Sequence, residues 1–97
     1  MTRIHVQTEV ENAPSKCWDY TVRVEHDSGS CTEHRVRLSW VDHEHWSGGR
    51  LPPSQVVEAV VERLVAHGMT DSLPERFDAA RARRWFPQID RELRNAI

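Results

Sequence analysis

No stretch of this 97-residue chain is uniformly apolar: the best run, from Val56 to Val65, is broken by Glu58, Glu62 and Arg63. A membrane-spanning helix needs about 18 or more apolar residues in succession, so no segment reads as one. The opening Met1-Thr2-Arg3-Ile4-His5-Val6 turns polar at once and lacks the apolar core of a secretory signal, so a cytoplasmic location is expected. Glycine is scarce, at four residues, and the pair Gly48-Gly49 alone makes no phosphate-binding loop. No paired carboxylates and no Ser-His-Asp order offer a reaction constellation, so a non-enzymatic protein without a cofactor is expected. Charge of one sign is lacking too: 13 Lys and Arg against 15 Asp and Glu leave −2, too little to draw the whole protein to nucleic acid. The length leaves no room for two domains, since chains of roughly 100 residues bury only about two-thirds of their unfolded surface.

What is present is alternation. Ile4, Val6 and Val10, with Thr8 on the same face, oppose His5, Gln7, Glu9 and Glu11, as in a half-buried strand, and Asn12-Ala13-Pro14-Ser15 supplies a turn. Trp18, Tyr20, Val22 and Val24 mark a second strand; His34, Val36, Leu38 and Trp40 mark a third. Between these two, Asp27-Ser28-Gly29 suits a three-residue hairpin loop ending in the left-handed region that glycine reaches without strain. That loop pairs His26 with Ser30, and hence Tyr20 with Val36, Val22 with His34 and Trp18 with Leu38. A one-residue slip would turn every apolar side chain to the wrong face. The same register separates Cys17 and Cys31 by about 25 Å along the hairpin. A disulfide requires Cα atoms within about 7 Å, so two free thiols are expected.

Periodicity lapses from Val41 to Pro53, and residues 42–52, with Asp42-His43-Glu44-His45-Trp46-Ser47-Gly48-Gly49, read as an exposed connection. The stripe Val56, Val57, Val60, Val61, Leu64, Val65 then predicts an amphipathic helix, opened by Pro52 and Pro53 and stopped at Gly68. Ser72 and Glu75 have capping-box spacing, which predicts a short turn running to Phe77. Asp78 can cap a short helix through Trp85, Pro87 ends it, and Ile89, Leu93 and Ile97 recur as the apolar face of a last helix. The expected architecture is one α+β domain over residues 1–97. A three-stranded antiparallel meander lies within 3–41, and one amphipathic helix with two or three short C-terminal helices, all within 53–97, packs on one sheet face. The other face is left to solvent or a partner.

Three candidate surfaces follow. A protein partner, or a second copy in a homodimer, is expected to meet Trp46, an aromatic in a polar connection, together with Arg23, Arg35 and Arg37 on the wet side of the strands. Residues 76–97 carry six arginines against three acids, so Arg81, Arg84 and Trp85 are the alternative, a nucleic-acid surface of guanidinium forks beside a stacking ring. His43 and His45, two apart in extended backbone, would point the same way and offer two ligands of a zinc-like site, with Asp42 or Glu44 as a third.

Leu51-Pro52-Pro53-Ser54 leading into the valine-rich helix, Leu73-Pro74-Glu75-Arg76-Phe77-Asp78, and Trp85-Phe86-Pro87-Gln88-Ile89 resemble a group of short bacterial proteins with no assigned activity. The likeness covers roughly residues 18–94, and Phe77-Asp78 and Phe86-Pro87 are its most specific parts. Ala79-Ala80-Arg81-Ala82-Arg83-Arg84 departs from the pattern in being more basic. The resemblance implies a β-then-α fold in bacterial cytoplasm and supplies no catalytic residue.

Overall fold

The computed structural model describes residues 2–69 and 72–96, so Ile97 of the expected C-terminal stripe lies outside the described residues. Strands β1 (Arg3–Asn12), β2 (Cys17–Glu25) and β3 (Cys31–Ser39) form the antiparallel meander. Helices α1 (Trp40–Ser47) and α2 (Pro53–Ala66) then lead to a short β4 (Arg76–Asp78), which pairs in parallel with β3, giving the sheet order β1-β2-β3-β4. A 3-10 turn (Ala79–Arg81), α3 (Ala82–Trp85) and α4 (Ile89–Ala96) complete the α+β fold.

The β2–β3 hairpin has the register its loop chemistry dictates. His26 N–H donates to Ser30 C=O at 2.8 Å, Gly29 adopts φ +89°, and Tyr20 pairs with Val36, Val22 with His34 and Trp18 with Leu38. Cys17 pairs with Ser39 and Cys31 with Glu25, at opposite ends of the hairpin, and both thiols are free. The inner face of the sheet packs Tyr20, Val22, Val24, Val36 and Leu38 against the buried stripe Val56, Val57, Val60, Val61 and Leu64 of α2. Gly68 closes α2 in a Schellman arrangement: its own N–H reaches Val65 C=O, that of Met69 reaches Leu64 C=O, and its φ of +95° needs no Cβ. No described helix is long and apolar enough to cross a membrane.

Three elements differ from the pattern read in the sequence. The alternation of β1 is interrupted by a bulge at Gln7: Val6 pairs with Val22, but Thr8 pairs with Thr21 and Val10 with Asp19. One extra residue reverses the facing of everything beyond it, so Thr8 and Val10 lie on the outer face and Glu9 turns inward opposite Tyr20. Glu9 Oε1 there accepts the Tyr20 hydroxyl at 2.5 Å; burial, and next this carboxylate, push the Tyr20 phenol pKa well up.

Secondly, the expected exposed connection begins as helix α1. Ser39 Oγ accepts Asp42 N–H at 3.1 Å as the N-cap, and Gly48, at φ +58°, ends the helix with its N–H on Glu44 C=O. Trp40 therefore opens a helix rather than ending β3. It packs beside the half-buried Trp18, ring centroids 6.0 Å apart.

Thirdly, the capping-box turn from Ser72 to Phe77 is replaced by β4. Glu75 C=O accepts Arg35 N–H at 2.7 Å, and Phe77 is buried beside Val36. Burial of the Phe77 ring is worth about 1.5–3 kcal/mol, more than a surface cap returns.

Candidate outer-face site

The helices take the inner face, so the residues that alternate with the core along β1–β4 form an open surface. Past the bulge, Thr8 from β1, Thr21 from β2, Arg35 and Arg37 from β3, and Arg76 and Asp78 from β4 line one shallow depression of about 640 Å³. Val10, 61% exposed, stands at its β1 side.

The charges in the depression are unequally matched. Arg37 Nε donates to Asp19 Oδ1 at 2.9 Å and its Nη2 to Oδ2 at 3.4 Å, a two-point contact across the strands. Asp78 Oδ1 accepts Ala80 N–H at 2.9 Å and starts the 3-10 turn. Arg35 and Arg76 are direct partners in the parallel ladder, and neither guanidinium has a hydrogen-bond or ion-pair partner among the described residues. Like charges placed opposite each other on one sheet face repel.

Arg35 and Arg37 thus stand on the uncovered face as their alternation implies. Arg23 shares that face but lies farther along the hairpin, opposite His5 and Glu33, with Nη2 3.3 Å from Cys31 Sγ. Arg76, Thr8 and Val10 are members the sequence reading missed. The alternation Arg76-Phe77-Asp78 was the available signal for β4; nothing local to Gln7 announces the bulge.

Trp46 is not a surface anchor. It is 2% exposed in the core, and its Nε1–H donates to Asp90 Oδ1 at 2.5 Å. The Arg83 guanidinium carbon stands 4.7 Å from the Trp46 ring centre, while Arg83 Nη2 donates to Asp42 Oδ1 at 2.9 Å and Nε to Asp90 at 3.0 Å. This network ties α1 to α3 and α4. Burial works against the Asp90 charge, but the Trp46 N–H and the Arg83 guanidinium outweigh it and hold the carboxyl below its ordinary range.

The paired-histidine reading fails on backbone geometry. On helix α1 residues two apart point away from each other. His43 Nε2–H donates to Leu51 C=O at 2.7 Å, whereas His45 Nε2 lies 3.8 Å from Asp90 Oδ1 on α4. Among the described residues no group of three or more His, Cys, Asp or Glu is placed to hold a metal ion. Of the candidate nucleic-acid residues, Arg81 and Arg84 are exposed without partners among the described residues. Trp85 is half-buried, meeting Phe77 edge-to-face at 5.5 Å, so its ring is already engaged.

Family models, curated proteins and solved structures, each compared with the chain, give no match, and the resemblance to short bacterial proteins gains no support from them.

Proposed function

We propose that this chain is a small non-catalytic interaction module that binds a protein partner through the outer face of its sheet. The observation that carries this reading is the uncovered depression lined by Arg35 and Arg76, ladder neighbours with no hydrogen-bond or ion-pair partner among the described residues, beside Thr8, Thr21 and Val10. The face carries Asp19 and Asp78 as well, and the chain has a net charge of −2, a mixture better suited to a protein surface than to a run of phosphates. The bulge at Gln7 interrupts the free edge of β1, a device by which sheets discourage strand addition, so the face rather than the edge is the contact surface.

A photo-crosslinking residue placed at Thr21 on the outer face, and separately at Glu58 on the exposed side of α2, tests this in lysate of the native host. A discrete protein adduct from the Thr21 position alone, unchanged by nuclease, supports the proposal. An adduct of twice the chain mass would make the partner a second copy. Equal labelling from both positions, or recovery that nuclease abolishes, contradicts it; the latter moves the site to the exposed Arg81 and Arg84.

A further inference from the structure

We infer that the Arg35–Arg76 pair receives one carboxylate of an extended acidic peptide segment of the partner, with an apolar side chain of the same segment resting on Val10. This rests on the outer-face reading above and names what that face recognises.

Several other arginines are matched within the chain: Arg37 by Asp19, Arg63 by Glu92, Arg83 by Asp42 and Asp90. Arg35 and Arg76 are instead set against each other. As ladder partners on adjacent strands they emerge from the same face about 4.8 Å apart at the backbone. Two unpartnered guanidinium forks on side chains rooted at that spacing can reach one planar, bidentate anion, and a carboxylate placed between them turns a repulsive pair into two charge-assisted contacts. The neighbouring acids select among anions. Asp19 and Asp78 line the same depression, so a chain of phosphates laid through it would meet both carboxylates, whereas a single carboxylate held over the arginine pair avoids them.

The apolar end follows from the sheet order. Arg35 and Arg76 lie in one row with Thr21 and Thr8, and Val10 lies in the next row, opposite Asp19. Val10 is therefore two and a half strand spacings across and two residues along from the arginine pair, roughly 14 Å on the diagonal, which an extended peptide crossing the strands obliquely covers in about four residues. Residues four apart in an extended chain project from the same side, so one acid and one apolar residue at that interval address the arginine pair and Val10 together.

Panning the folded protein against a displayed library of random heptapeptides, followed by affinity measurement and amide-shift mapping with the recovered peptides, tests the inference. The expected consensus is an Asp or Glu with an aliphatic or aromatic residue four positions away. The Arg35→Gln, Arg76→Gln double variant should bind these peptides at least tenfold more weakly while melting at the wild-type temperature, and Val10→Ser should weaken them severalfold. A consensus without an acid, or acidic peptides that the double variant binds equally well, would overturn the carboxylate site; if their shifts still fell on outer-face residues of β1–β4, the face itself would stand. Shifts confined to other surfaces, or no enrichment, would overturn both.

Discussion

The Trp46 indole N–H and the Asp90 carboxylate, 44 residues apart in sequence, form one hydrogen bond at the junction of α1 and α4, with the Arg83 guanidinium over the indole ring. The ring fills core volume and its N–H satisfies a partly buried charge. Trp46→Ala should therefore cost about 3–5 kcal/mol. At about 4–8 °C per kcal/mol for a domain of this size, the melting temperature falls by more than about 10 °C. Trp46→Phe keeps most of the volume and loses the donor, a smaller cost of about 1–3 kcal/mol. Thermal unfolding followed by circular dichroism distinguishes them; an Ala variant as stable as wild type would show the ring to be dispensable.

The same network sets a pH dependence. The Asp90 carboxyl titrates lower in the folded protein than its ordinary value near 3.8. Its contribution is therefore present above the unfolded pKa and is lost as the pH falls through the folded one. Urea midpoints measured between pH 6 and pH 3 should drop toward acid, and Asp90→Asn should flatten part of that slope. An identical slope in the Asn variant would assign the acid sensitivity to other carboxylates.

His34 is 4% exposed, and in the neutral imidazole each of its two ring bonds has one direction. Pro74 C=O, 2.6 Å from Nδ1, only accepts, so Nδ1 carries the proton; Nε2 then accepts the Thr32 hydroxyl at 2.7 Å, and Thr32 Oγ1 in turn accepts His26 Nε2–H at 2.8 Å. Thr32→Val leaves His34 Nε2 buried without a donor, at about 1–3 kcal/mol. Because Pro74 leads directly into β4, the Arg35 amide bonded to Glu75 C=O should exchange with solvent faster in this variant. Unchanged exchange at Arg35 would mean that the histidine bond does not hold β4 to the sheet.

Relieving the Arg35–Arg76 repulsion should not harm the fold. Arg76→Thr places a β-branched residue on a short edge strand and removes a like-charge pair worth about 0.2–1 kcal/mol, so stability at low salt should be equal to or slightly above wild type. The gain should shrink as salt screens the wild-type pair. A loss beyond about 1 kcal/mol would show that Arg76 serves the fold and would weaken its assignment to binding.

How legible each part was depends on how local its causes are. Gly29 and the alternation on either side of it specify the β2–β3 register within about twenty residues of sequence, and the α2 stripe with Pro52, Pro53 and Gly68 specifies a helix and both its ends. Helix α1 had a cap at Ser39 and a stop at Gly48, but its polar residues made no apolar stripe. Trp46 is drawn inward by Asp90 and Arg83, which lie 44 and 37 residues away in sequence. The bulge at Gln7 has no local marker, yet it moves Val10 outward and Glu9 inward. Strand β4 exists because Phe77 pairs in parallel with Val36, 41 positions earlier in the chain, a contact invisible to a window of sequence. The candidate site divides along the same line: Arg35 and Arg37 follow from alternation, while Arg76, Thr8 and Val10 arrive through long-range pairing and a bulge.

The central claim, that the outer sheet face is the binding surface, is tested most directly by comparing two charge reversals in one binding assay with the captured partner. Arg35→Glu with Arg76→Glu should abolish association and leave the circular dichroism spectrum and melting temperature near wild type, while Arg81→Glu with Arg84→Glu should retain it. Loss of binding from the second pair with full retention by the first would contradict the claim and place the working surface on the C-terminal arginines.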